Sequence, residues 1–123
     1  MNDTIEQEIQ DKGLTEPRVT PADIEEEIAS EHYFTAFDGA KDRGENARYA
    51  PDHEVPITIE ALNLLTFCVL VLRNGFTVTG ESACASPENF DAELGRKIAR
   101  KKAIEKVWPL LGIRLRDKLH ASE

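Results

Sequence analysis

The apolar run LLTFCVLVL, residues 64–72, meets Asn74-Gly75 and returns as FTVTGESACAS. β-Branched and aromatic residues on both sides of such a dipeptide predict a β-hairpin. With a two-residue type I′ turn, Cys68 lies opposite Glu81. One face then holds Phe67, Val69, Val71, Phe76 and Val78. The other sets Cys68, Leu70 and Leu72 against Thr77, Thr79 and Glu81. The first strand is apolar on both sides, which marks a buried strand. A lone hairpin is marginally stable, so further strands, helices or a second subunit must cover it.

Helical periodicity takes over after Ser86-Pro87, predicting a helix from about Pro87 to Val107 that ends at Trp108-Pro109. Gly95, Ala99 and Ala103 recur every fourth residue and make a smooth stripe flanked by Leu94, Ile98 and Val107. Such a stripe admits close approach of the sheet or of a symmetry mate. Leu111, Leu115 and Leu119 predict a short final helix. Upstream, Thr20-Pro21-Ala22-Asp23 is a helix start, with Thr20 as cap and Pro21 in the first turn. Ile24, Ile28 and Ala29 form its apolar stripe, and Glu25, Glu26 and Glu27 a solvated side.

The segment HYFTAF, residues 32–37, concentrates aromatics ahead of a polar stretch, residues 38–56, that contains Gly39, Gly44, Pro51 and Pro56. That stretch exceeds ordinary connection lengths and reads as a mobile surface loop, with Arg48 and Tyr49 as contact candidates. The resulting plan is α+β. A flexible acidic N-terminus (1–12) precedes a single domain (13–120) with a long polar loop at 38–56, and a tail (121–123) follows. A small antiparallel sheet is packed by a long helix in the C-terminal half, with an N-terminal helix and a short final helix.

Length changes little: 123 residues hold one modest core, which keeps oligomerisation open. Charge changes more. The formal net charge is −8, yet residues 1–31 hold ten acids and two bases, while residues 91–123 hold five acids and nine bases. The basic segment can meet an anion such as nucleic acid, or satisfy the acidic N-terminal part in the same chain or a neighbour. No apolar run approaches the roughly 20 residues of a membrane span. The acidic start lacks a signal-peptide pattern, so a soluble cytosolic protein is expected. In that compartment Cys68 and Cys84, on opposite faces of the hairpin, read as free thiols. His32, His53 and His120 are scattered without zinc spacing, so no metal or other cofactor is expected.

Candidate chemistry is sparse. GESACASPENF, residues 80–90, runs from a strand end to a helix start, where free N–H groups attract anions. Ser82 and Ser86 can add hydroxyl donors, and Arg96 or Lys97 positive charge. Alternatively, Ser86 only caps the helix, and Glu88 and Asp91 complement its dipole and repel a phosphate. Ser82, Cys68 and Cys84 lack a base at a nucleophile's spacing. Glu81 with Glu88 or Asp91 is an ordinary set of exposed acids, and no enzyme activity is expected. The packing and interface residues are Gly95, Ala99, Ala103, Leu70 and Leu72.

Two segments, GLTEPRVTPADIEEEIASEHYFTAFDG and LTFCVLVLRNGFTVTGESACASPENFDAELGRKIARKKAIEKVWPLLG, carry a resemblance from about Gly13 to His120. The chain resembles a family of small tailed-phage and prophage proteins named for an early gene product, Gp-forty-nine, of an N4-type phage. The resemblance implies an early phage accessory protein in the bacterial cytosol and brings no activity or catalytic residues with it. In that context the expected function is binding and inhibition of a host factor or defence component. One alternative is an oligomeric sponge for a nucleotide immune signal near Ser82 and Ser86. Another is a nucleic-acid regulator that uses the basic C-terminal segment. A homo-oligomer is expected throughout, with a host protein or a nucleotide second messenger as partner ahead of nucleic acid, and no membrane.

Overall fold

The computed structural model describes residues 3–14, 16–41 and 46–123. The elements run α1 (Asp3–Asp11), α2 (Pro21–Glu27), β1 (Ile28–Thr35), α3 (Ala36–Ala40), α4 (Val55–Asn63), β2 (Leu65–Leu72), β3 (Thr77–Ala83) and α5 (Ala92–Ala121). A 3₁₀ turn, Pro87–Asn89, sits between β3 and α5. The three strands form one antiparallel sheet in the order β1-β2-β3. This is an α+β fold, and the doubly apolar strand β2 is its centre.

The missing cover of the hairpin comes from the same chain. Residues 28–35 leave the helix at Ile28, whose φ of −79° and ψ of 113° are already extended, and pair with β2. The stripe of Ile24, Ile28 and Ala29 is therefore not one helix face. Only Ile24 belongs to α2, which Thr20 and Asp23 start with a reciprocal capping box. β-Branched and aromatic residues across 28–35 suit a pleated surface, and pairing with a buried strand decides the matter.

The hairpin turn differs by one residue from the two-residue expectation. Leu72 N–H donates to Phe76 O at 2.8 Å, enclosing the three-residue loop Arg73-Asn74-Gly75, and Gly75 takes φ +89°. Glycine at that left-handed position closes a three-residue hairpin loop. Cys68 consequently faces Gly80 and not Glu81. This slip turns all of β3 over: Val78 and Gly80 join Cys68, Leu70 and Leu72, while Thr77, Thr79 and Glu81 join Phe67, Val69 and Val71. Arg73 also ties the turn to α2, its backbone N–H reaching Glu27 O and its Nε reaching Glu26 O, each at 2.9 Å.

α5 covers the Cys68–Leu70–Leu72 face. Ala99, Ala103, Val107 and Leu111 are buried there with Ile24 and Val78. The smooth stripe of Gly95, Ala99 and Ala103 thus meets the chain's own sheet. Gly80 is its counterpart: a Cβ there would stand 2.5 Å from Ala103 N and closer still to Ala99 O. Gly95 likewise leaves room for Thr66, whose Oγ1 would lie 3.2 Å from an added Cβ.

α5 starts later and ends later than expected. Asp91 caps it, accepting from Leu94 N–H at 3.0 Å, and Pro109 lies inside the helix. Proline removes one helical hydrogen bond. Buried Val107 and Leu111 on either side keep both halves on the sheet, so no separate final helix forms. At the other end, α1 is a defined helix and not a loose terminus. Arg18 clamps it by donating to both carboxylate oxygens of Glu6 at 2.9 and 2.7 Å.

Candidate functional site

With α5 on one face, no helix among the described residues lies across the opposite face of the sheet. The register places Ser30, His32 and Phe34 of β1 beside Val71, Val69 and Phe67 of β2, and Thr77, Thr79 and Glu81 of β3 beyond them. Phe34 is exposed, and its ring lies 5.7 Å from that of Phe67. Val69 and Val71 are half-buried. Glu81 is the single Asp, Glu, Lys or Arg among these residues, in a chain where those four types make up 31%, and His32 is the other titratable group on the face.

α3 and α4 pack on each other at the end of the sheet where β1 stops and β2 starts. Thr35 and Asp38 form a second capping box that starts α3, and the Thr35 backbone N–H holds the Asp38 carboxyl below its ordinary range. The pattern T-x-x-D signals this start just as it does at Thr20, at the junction of the aromatic segment 32–37 and the expected 38–56 loop. α3 and α4 shorten the expected 38–56 loop; residues 42–45 of that loop lie outside the described residues. α4 leaves Val55, Ile57 and Ile59 exposed. A groove of about 690 Å³ between α3, residues 47–50 and α4 includes Arg48, Tyr49 and His53 in its lining. Tyr49 and His53 stack loosely at 6.2 Å, and His53 hydrogen-bonds Thr58.

The expected anion site is arranged differently. Ser82 sits on β3 opposite Thr66. The Ser86 hydroxyl donates to Glu88 at 2.8 Å, which lowers the Glu88 pKa, and Ser86 caps no backbone N–H. Asp91 and Glu93 occupy the start of α5. Arg96 and Lys97 diverge: Arg96 lines a groove with Tyr33, Asp38 and Glu60, and Lys97 one with Glu25, Ile104 and Trp108.

The charge asymmetry is resolved within the chain. Arg100 donates to Glu31 and, at 3.1 and 2.8 Å, to both oxygens of Glu25. Burial alone would lower its pKa, but these carboxylates raise it above the ordinary value. Arg114 holds Glu27 in the same way at 2.8 Å. Two acids of the Glu25–Glu27 run are therefore engaged by α5 and not merely solvated. Beneath Arg100, burial pushes the Tyr33 hydroxyl up to about 12, aided by the charges of Cys68 and Glu31, and burial also raises the Cys68 thiol. A raised thiol is a poor nucleophile.

Cys68 and Cys84 are free; Cys84 lies past β3, where its N–H donates to Leu64 O and its Sγ to Ser86 O. Among the described residues no group of His, Cys, Asp and Glu could hold a metal ion. Among them, too, no helix is long and apolar enough to cross a membrane.

A family model, the phage protein (N4 Gp49/phage Sf6 gene 66) family, matches residues 19–119. The chain belongs to this family. The match runs from just before the Thr20 cap of α2 through nearly all of α5, so the whole sheet lies within the matched residues. No curated protein and no solved structure matches the chain. The Gp49/gene 66 membership makes this a phage protein.

Proposed function

We propose that the chain is a non-enzymatic phage accessory protein that acts in the host bacterial cytoplasm by binding and inhibiting a host protein. The observation that carries this is the open sheet face: central aromatic and valine side chains, with Glu81 its single Asp, Glu, Lys or Arg. Apolar patches left uncovered on a highly charged chain mark protein contacts. The acids crowding the start of α5 favour this reading over capture of a nucleotide signal. The test is affinity purification from infected cells of the parent chain and of Val69→Lys, which places a charge at the centre of the face without touching the α5 seam. A host polypeptide in stoichiometric amount on the parent and absent from the variant supports the proposal. Equal recovery on both, or none on either, overturns it.

A second reading rests on α5, where Arg96, Lys101, Lys102 and Lys106 are all exposed. Nucleic-acid binding by these residues would weaken steeply with salt.

A further inference from the structure

β3 is an edge strand, and its backbone shows which residues face outward. The ladder bonds at its two ends, Leu72 N–H to Phe76 O and Cys84 N–H to Leu64 O, frame the β2–β3 register. Hydrogen-bonded pairs in an antiparallel ladder recur every second residue, so Val78, Gly80 and Ser82 bond to β2. The N–H and C=O groups of Thr77, Thr79 and Glu81 therefore point away from the sheet, and all three residues are exposed. Among the described residues no strand pairs with that side. The edge TVTGESA has no proline or lysine, and no bulge interrupts its register, whereas such devices commonly protect edges.

The helix above has a matching flank. Arg100 reaches Glu31 on β1. Ile98 and Lys102, each two residues away and about 200° round the helix, lie on the opposite flank, toward the β3 edge. Ile98 and, one turn earlier, Leu94 are exposed there.

We infer that β3 pairs with β3 of a second copy about a two-fold axis at Thr79, extending the sheet to six strands. The occupant is a second copy because the edge is self-complementary. In this register Thr79 faces its own symmetry mate, and Thr77 faces the partner copy's single carboxylate at position 81. The paired strands oppose no like charges, and the two α5 helices lie antiparallel with Leu94, Ile98 and Lys102 on the flanks that face each other. Pairing at the edge leaves the open face uncovered, so the inference stands apart from the proposed function.

Sedimentation equilibrium of the full chain tests it. A dimer is expected for the parent and a monomer for Thr79→Pro, whose lost N–H is an outward one. Circular dichroism verifies that this variant keeps its fold, and Thr79→Asp, which opposes two charges on the axis while keeping the N–H, must give the same monomer. Thr77→Lys, placed against Glu81 of the second copy, should tighten the dimer roughly 2- to 10-fold. A monomeric parent, a Thr79→Asp dimer as tight as the parent, or a Thr77→Lys dimer no tighter overturns the inference.

Discussion

Gly80→Ala is the most informative single substitution in this chain. The added Cβ would lie 2.5 Å from Ala103 N, 3.1 Å from Ala103 Cα and nearer still to Ala99 O. All three obstacles are helix backbone, so no side chain can rotate away. α5 must retreat by about 1 Å, a gap that forfeits a quarter to a half of the dispersion attraction across a packed seam. The large side chains along that seam, Leu70, Leu72, Val78, Val107 and Leu111, are buried. Each contributes about 1.5–3 kcal/mol, so a quarter of the total is roughly 3 kcal/mol, near the top of the range for overpacked cores. The substitution should lower the melting temperature by roughly 10–15 °C. Urea unfolding followed by far-ultraviolet circular dichroism and by the fluorescence of the one tryptophan, Trp108, reads the loss. Gly39→Ala is the contrast: nothing lies within 4 Å of its added Cβ, and it sits in a helix. It should stabilise by about 0.5–1 kcal/mol. A Gly80→Ala protein within about 0.5 kcal/mol of the parent would refute the close helix–sheet approach.

Other perturbations separate the remaining parts of the argument. Asp91→Ala should cost about 1 kcal/mol through the lost α5 cap, whereas Ser86→Ala should cost well under half of that, as chemical denaturation of the two variants will show. Arg100→Met cuts α5 from Glu25 and Glu31; it should destabilise by about 1 kcal/mol at low salt and by less at high salt, measured as the shift in urea midpoint. The Glu6 carboxyl, held by hydrogen bonds from Arg18 and Gln10, is lowered from 4.5 to about 2. Because its folded value lies below the unfolded one, its contribution is present above about pH 4.5 and is lost as the pH falls toward 2. Limited proteolysis with an acid-active protease should therefore release α1 more readily at pH 2 than at pH 4.5, and Arg18→Gln should abolish the difference. Thiol labelling of the native protein should modify half-buried Cys84 and spare buried Cys68; equal labelling of the two would contradict the position of Cys68 under α5.

Much of the fold was legible from local chemistry. The T-P-A-D start, the hairpin and the small-residue stripe each encode their structure within a few residues, and each is present. What escaped depends on partners distant in sequence. IASEHYFT can be helical or extended, and β2 decides, more than thirty residues downstream. Pro109 ordinarily stops a helix, but the sheet under Val107 and Leu111 holds both sides in line. Asn-Gly suits two different hairpin loops, and only the packing of Gly80 against Ala99 and Ala103 selects the three-residue one. The candidate site was legible only in pieces. Arg48 and Tyr49 do line a groove, but the open face was hidden because the one-residue slip exchanged the residues of β3 between the two sides.

The hairpin register underlies the open face, the outward edge of β3 and the place of Gly80 at once. The direct measurement is the cross-strand Hα–Hα nuclear Overhauser pattern of β2 and β3 in the isotopically labelled protein. Non-hydrogen-bonded pairs bring opposing Cα atoms to about 4.5 Å and give strong signals. The structure predicts them between Val71 and Thr77, Val69 and Thr79, and Phe67 and Glu81. Strong signals instead between Leu70 and Thr79 or Cys68 and Glu81 would mean a two-residue turn, and would contradict the open face and the β3 edge together.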